Sequence, residues 1–153
     1  MEKTLLKEDS AGYLANHMAR LFAVLLTERL KPLGLAPAPF AILLELWRQD
    51  GQSQNALVAS GDIAQATVAN TLIRMERDGL VTRAPHPQDA RSKCIMLTDK
   101  ARALEESATR IAREVNHEAL AGLDAAERAQ LLALMRKVIA TQRSLRGLED
   151  AQV

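Results

Sequence analysis

The side chains best suited to contact another polymer lie between Gln65 and Arg77. At about 100° per residue, a helix with Val68, Leu72 and Met75 inward presents Ala66, Asn70, Ile73 and Arg77 on the opposite arc. Thr67 and Arg74 flank that arc, and Gln65 stands at its start. Asn pairs bidentately with adenine, small residues let a helix approach base edges, and Thr and Arg hold phosphates. This is the chemistry of a helix lying in a major groove. Ile73 suits a thymine methyl or the underside of a neighbouring element. The same residues also describe an ordinary solvated helix face.

A second cluster follows at Pro87-Gln88-Asp89-Ala90-Arg91, with Lys93 beside it. Asp89, two residues before Arg91, is placed to brace the guanidinium, and a braced arginine on a narrow projection fits a minor groove. The bland alternative is a surface ion pair, which is worth little.

Other chemistries lack their residues. The sequence holds no Gly-rich phosphate loop, no nucleophile elbow and no paired catalytic carboxylates, so no catalytic residue is assigned and an enzyme is not expected. The single cysteine, Cys94, falls in a predicted strand, where a small buried thiol is common. His17, His86 and His117 stand far apart without carboxylates at ligand spacing, so neither a metal nor another cofactor is expected.

The elements that must carry the two clusters follow from periodicity and punctuation. Leu14, Met18, Leu21, Leu25 and Leu26 mark a helix from Tyr13 to Leu30, stopped by Pro32 and Gly34. Pro37 and Pro39 open a second, with Phe40, Leu43, Leu44 and Trp47 on one face and Gly51 closing it. Ser53 caps a short third helix around Leu57 and Val58. Gly61-Asp62-Ile63-Ala64 is a tight turn, and the fourth helix runs from Gln65 to Asp78, with Gly79 left-handed at its end. Leu80 to Ala84 and Lys93 to Leu97 then form a hairpin with a long polar tip. Thr98 caps a helix reaching about Ala121, roughly 36 Å long. After Gly122, Asp124 and Glu127 form a capping box for a last helix through Leu131, Met135, Val138 and Leu145.

The expected fold is therefore mainly α with a small β-hairpin wing. A winged helix-turn-helix lobe spans residues 35–98, and helices at 1–34 and 99–148 form a dimerisation region within a single domain of residues 1–153. The terminal helices have apolar stripes without an obvious partner in the lobe, which a second copy would cover. Net charge is only +1 over 153 residues, so a nucleic-acid surface must be local rather than global. Glu2 and Lys3 do not begin a signal peptide, and apolar stretches fall short of the roughly 18 residues of a spanning helix. A cytoplasmic protein without membrane contact is expected.

Leu35 to Thr98 resembles the MarR family of regulators. The resemblance rests on the Phe40 helix, Ser53-Gln54, Ala66-Thr67-Val68, the run Arg74-Met75-Glu76-Arg77-Asp78-Gly79-Leu80-Val81, then Arg83, Pro87, Asp89, Arg91 and Leu97-Thr98. Gly122-Leu123-Asp124-Ala125-Ala126-Glu127 is similar to the family's join between its last two helices. The resemblance implies a homodimeric regulator, often a repressor, that binds duplex DNA at a pseudo-palindromic operator. Release comes through a small ligand, oxidation or a metal. The family's oxidation sensors carry their cysteine in the first helix, which has none here.

The sequence departs from the family pattern where Ser is common at Ala64, Pro at Ala66, an apolar residue at Gly61 and Arg at Ala90. Family ligands commonly sit between the dimer helices and the DNA-binding lobe. Tyr13, His17 and Arg20, at i, i+4 and i+7, together with Trp47, are the candidates for holding an aromatic acid there. Structural bonds at the dimer interface are the alternative for His17 and Arg20. A winged helix used for protein contacts, with weak or no DNA binding, is the alternative for the whole.

Overall fold

The computed structural model describes residues 7–148, and helices dominate it. Helix α1 is Ala11–Leu30, started by the Ser10 hydroxyl, which accepts a hydrogen bond from the Tyr13 N–H at 3.2 Å. A 3₁₀ turn at Lys31–Leu33 ends with Gly34 at φ 69°, a conformation open to glycine at no steric cost. Pro37 then begins α2 (Pro37–Arg48), where its missing N–H is not needed. Strand β1 (Gln52–Ser53) leads into α3 (Gln54–Gly61), capped by Ser53 as its residue type requires. Asp62, at φ 49°, turns the chain into α4 (Gln65–Arg77). Gly79, at φ 73°, releases it into β2 (Val81–His86) and β3 (Asp89–Leu97). Helices α5 (Asp99–Ala119) and α6 (Ala125–Leu145) complete the described chain. The capping box at Asp124 and Glu127 is formed in both directions.

The sheet is antiparallel in the order β1-β3-β2. Its strands run farther toward the tip than the residue pattern predicts, leaving only Pro87 and Gln88 as the turn. Pro85 does not stop β2, because β2 is an edge strand where a missing N–H is tolerated. The register jumps from Pro85↔Lys93 to His86↔Asp89, so residues 90–92 form an irregular bulge on β3. Strand β1 has no hydrophobic alternation to announce it and exists only by pairing Gln52 with Ile95 and Ser53 with Cys94.

One core joins the lobe to the start of α5. Leu43, Leu46, Leu72, Ile95 and Ala101 are completely buried in it, with Leu30 entering from the end of α1. Met18, Phe22 and Leu26 of α1 are half-buried, whereas Leu21 and Val24 are each 55% exposed. Helix α6 has no buried residue at all, and Leu134, Val138 and Ile139 stand about half exposed. No single described helix is long and apolar enough to cross a membrane.

Asp50 closes the lobe against α5. One carboxylate oxygen accepts the N–H groups of Gly51 and Leu97, each at 2.9 Å, and the other accepts Arg102 Nη2 at 2.7 Å. Asp50→Ala leaves the Leu97 N–H without its acceptor and leaves Gly51 and Arg102 with only the Ile95 and Leu97 carbonyls, a loss of about 2–3 kcal/mol. The melting temperature should fall by roughly 5–10 °C. Asp50→Asn, which keeps one acceptor oxygen, should lose less. Thermal denaturation of both variants checks this, and a melting temperature unchanged in Asp50→Ala contradicts it.

Candidate nucleic-acid interface

Helix α4 is amphipathic in the sense its sequence predicts. Val68, Leu72 and Met75 are buried, while Gln65, Ala66, Thr67, Asn70, Arg74 and Arg77 face solvent. Thr71 is also buried, which the stripe did not include, and its hydroxyl is satisfied by donating to the Thr67 carbonyl at 2.7 Å. Ile73 is 60% exposed, so it does not pack beneath the hairpin of its own chain. An exposed isoleucine amid polar groups is suited to a thymine methyl. The helix begins at Ala64, which offers no side-chain cap, whereas α3, α5 and α6 all have one. An uncapped start of this kind costs about 1 kcal/mol relative to a Ser.

The wing stands beside this helix. Arg83 on β2 donates to Glu76 of α4 at 3.0 Å and to Gln54 of α3 at 3.4 Å, fixing one element against the other two. Sequence reasoning did not assign these contacts, because Glu76 and Arg83 lie on opposite sides of a helix end where no periodicity relates them. Thr98 donates to the Gly79 carbonyl at 2.6 Å, and Lys100 donates to the Asp78 carbonyl at 2.8 Å. The start of α5 thereby holds the turn between α4 and the wing.

The expected brace between Asp89 and Arg91 is not made through the guanidinium. Asp89 accepts the backbone N–H of Arg91 at 3.0 Å and the Ser92 hydroxyl at 3.2 Å. Closing an Asx turn fixes no long side chain, so it outcompetes an exposed ion pair at the same spacing. Asp89 thus shapes the bulge and leaves the Arg91 guanidinium and the Lys93 ammonium exposed without a protein partner among the described residues.

The four residues assigned to a ligand pocket do not come together in one chain. Tyr13 and His17 meet edge to face at 6.0 Å on the exposed side of α1, with Lys7 over the tyrosine ring, and Arg20 is exposed farther along. Trp47 instead donates its indole N–H to the Ala101 carbonyl at 3.1 Å and meets Phe40 edge to face. Burying an indole requires such a partner, and the start of α5 supplies it. Met18 and Phe22 of α1 lie beside Asn116 and Leu120, roughly 20 Å along α5 from Ala101. With Leu131, Leu132 and Met135 they line a cavity of about 250 Å³. Cys94 is 4% exposed in β3, and no group of three or more metal-ligating side chains occurs among the described residues.

A helix-turn-helix whose second helix keeps a polar exposed arc, followed by a hairpin with unpaired cations, defines a winged helix of the DNA-binding class. Residues 35–93 match the sequence model of the MarR family. The fold agrees over most of the chain. A probable transcriptional regulator from Pseudomonas aeruginosa is 28% identical with a TM-score of 0.80, over 86% of this chain and 98% of that one. BpsR of Bordetella bronchiseptica, whose DNA binding is regulated by 6-hydroxynicotinic acid, is 26% identical with a TM-score of 0.82, over 89% and 97% of the two chains. A mutant MarR from E. coli, solved in complex with operator DNA, is 26% identical with a TM-score of 0.78, over 83% and 91%. Residues 35–93 thus carry a MarR-type winged helix-turn-helix domain, and the chain is similar over most of its length to transcriptional regulators of that family.

Proposed function

We propose that the protein is a cytoplasmic homodimeric repressor that binds a pseudo-palindromic operator and is released by a small organic acid. The observation that carries the reading is the pairing of α4's exposed arc with a wing whose Arg91 and Lys93 have no partner among the described residues. In it, Asn70 reads a base edge and Ala66 and Thr67 allow close approach. Gln65, Arg74 and Arg77 hold the major-groove backbone, and Arg91 enters the minor groove with Lys93 beside it. Asp89 acts by shaping the wing. Repression requires nothing beyond occupancy of promoter DNA, so transcription in vitro from a promoter carrying the operator should fall as protein is added.

Dimerisation supports this reading because a second copy would cover the apolar side chains that α1 and α6 leave exposed. Covering side chains such as Leu21, Val24, Val138 and Ile139 removes apolar area at about 25 cal/mol per Å². Sedimentation should find a dimer at micromolar concentration, and a stable folded monomer there overturns the assignment.

The effector reading draws on BpsR, whose regulator is an aromatic acid. The polar face of Tyr13, His17 and Arg20 is open on α1, and we assign it to an effector site completed by the second copy. Trp47 belongs to the wall between lobes rather than to the acid. Arg20→Ala should blunt release from DNA by 6-hydroxynicotinic acid or a related acid while leaving ligand-free operator affinity intact. Equal release in mutant and parent removes Arg20 from the site.

The two DNA elements separate by salt. Arg91→Ala should weaken binding to every operator variant alike. It should flatten the log-affinity against log-salt line by about one unit per contact, hence about two for the dimer. Asn70→Ala should keep that slope and relax preference at one symmetric pair of positions, worth about 1–3 kcal/mol of discrimination. The two half-sites should lie about one helical turn, roughly 34–36 Å, apart. An Arg91→Ala protein with parental affinity and slope shows that the wing does not contact DNA, and puts the protein-interaction reading first.

A further inference from the structure

Helix α6 buries no residue in this chain, yet the Arg143 side chain on its last turn is only 13% exposed. It reaches Asp62, to whose Oδ2 its Nη1 donates. Asp62 is the only non-glycine residue with positive φ among the described residues, and it forms the turn between α3 and α4. Arg146 and Leu148, just beyond, line a cleft with Asn55, Val58 and Gln65 on the two helices of that turn. The contact matters because Ala64 gives α4 no side-chain cap, so nothing local fixes how the helix begins.

The opposite end of α6 is held as firmly. Arg128 donates to the carbonyls of Leu120 and Leu123, both at 3.1 Å, and Asp124 and Glu127 close the capping box. Helix α6 is therefore a strut of roughly 30 Å between the end of α5 and the helix-turn-helix. Its exposed apolar middle, assigned above to the second copy, lies between two fixed ends. We infer that Arg143 is a positioning residue for DNA recognition: through Asp62 it sets the turn that aims α4. The inference rests on the reading of α4 as the groove-reading helix.

The test uses the full-length protein and two duplexes, one selected by the protein from a random-sequence library and one of unrelated sequence. Arg143→Gln removes the cation, and Asp62→Asn removes the anion while keeping a residue type that tolerates positive φ. Each single variant should lose about three- to thirty-fold in affinity for the selected duplex. The double variant should lose no more than either single one. Arg143→Lys should recover part of the loss. Affinity for the unrelated duplex and its salt slope should stay as in the parent, as should melting temperature and dimer formation.

Amide hydrogen exchange at residues 61–66, measured without DNA, should speed up in Arg143→Gln while α5 stays protected. Parental discrimination in both single variants overturns the inference, as do losses that add in the double variant. Unchanged exchange at the turn overturns it whatever the DNA result. Asn70→Ala is measured alongside. If it too leaves sequence preference intact, the reading of α4 has failed, and hydrogen exchange still decides whether the strut exists.

Discussion

The architecture depends on one carboxylate at the junction of its two halves. Asp50 lies past the end of α2, and through Gly51, Leu97 and Arg102 it joins that end to the end of β3 and the first turn of α5. Its side chain is 22% exposed, so the charge is only partly desolvated and carries two backbone donors as well as the guanidinium. That combination is stronger than an exposed ion pair, because the Leu97 N–H has Asp50 as its acceptor at the strand end and the charge is shared among three donors. The hydrophobic core crosses the same junction, with Ala101 of α5 buried against the lobe. Helix-turn-helix, wing and the start of α5 therefore share one core, so a displacement of that end of α5 would be felt by the proposed reading elements.

Within that body the cations divide by role. Arg83, Arg102 and Arg143 each face a carboxylate from a different element, and all three lie at joints. Arg91 and Lys93 lie on the projecting bulge, where Asp89 is occupied by backbone and Ser92. A net charge of +1 therefore conceals a sorted surface, since cations that build the fold are neutralised and those on the wing are not. Bulk charge is a poor guide to nucleic-acid binding in a protein of this kind, and local pairing is a better one.

What was legible in the sequence was local. Ser53, Thr98 and the Asp124–Glu127 pair announce helix starts because a cap acts within three residues, and Gly79 announces a helix end for the same reason. The inward stripe of α4 is legible because burial follows a fixed period. What was not legible joins residues far apart: Arg102 with Asp50, Arg143 with Asp62, and β1 with β3. One local reading also failed by competition: Asp89 had a guanidinium and a backbone N–H within reach, and the cheaper bond formed. Trp47 meanwhile satisfies its N–H at Ala101, a bond to α5 that no local pattern announces. The pocket residues lacked the strong local rule that the caps have, and their grouping was the part of the site that did not assemble within one chain.

The least covered part of the molecule is also the part with the greatest leverage. Helices α1 and α6 leave apolar side chains half exposed, and among the described residues Arg128 and Arg143 hold α6 near its two ends. An isolated helix of this length is marginal in water unless an amphipathic face is packed. Its order thus depends on what covers that face, while its last turn touches the residue that shapes the entrance to α4. Filling the 250 Å³ cavity between α1, α5 and α6 would load the Leu131, Leu132 and Met135 side chains of that helix. Packed interiors answer such loads by moving between discrete arrangements rather than by deforming smoothly. On the proposed reading, a small change among these apolar side chains would reach, through ordinary packing and a single ion pair, the turn that opens α4.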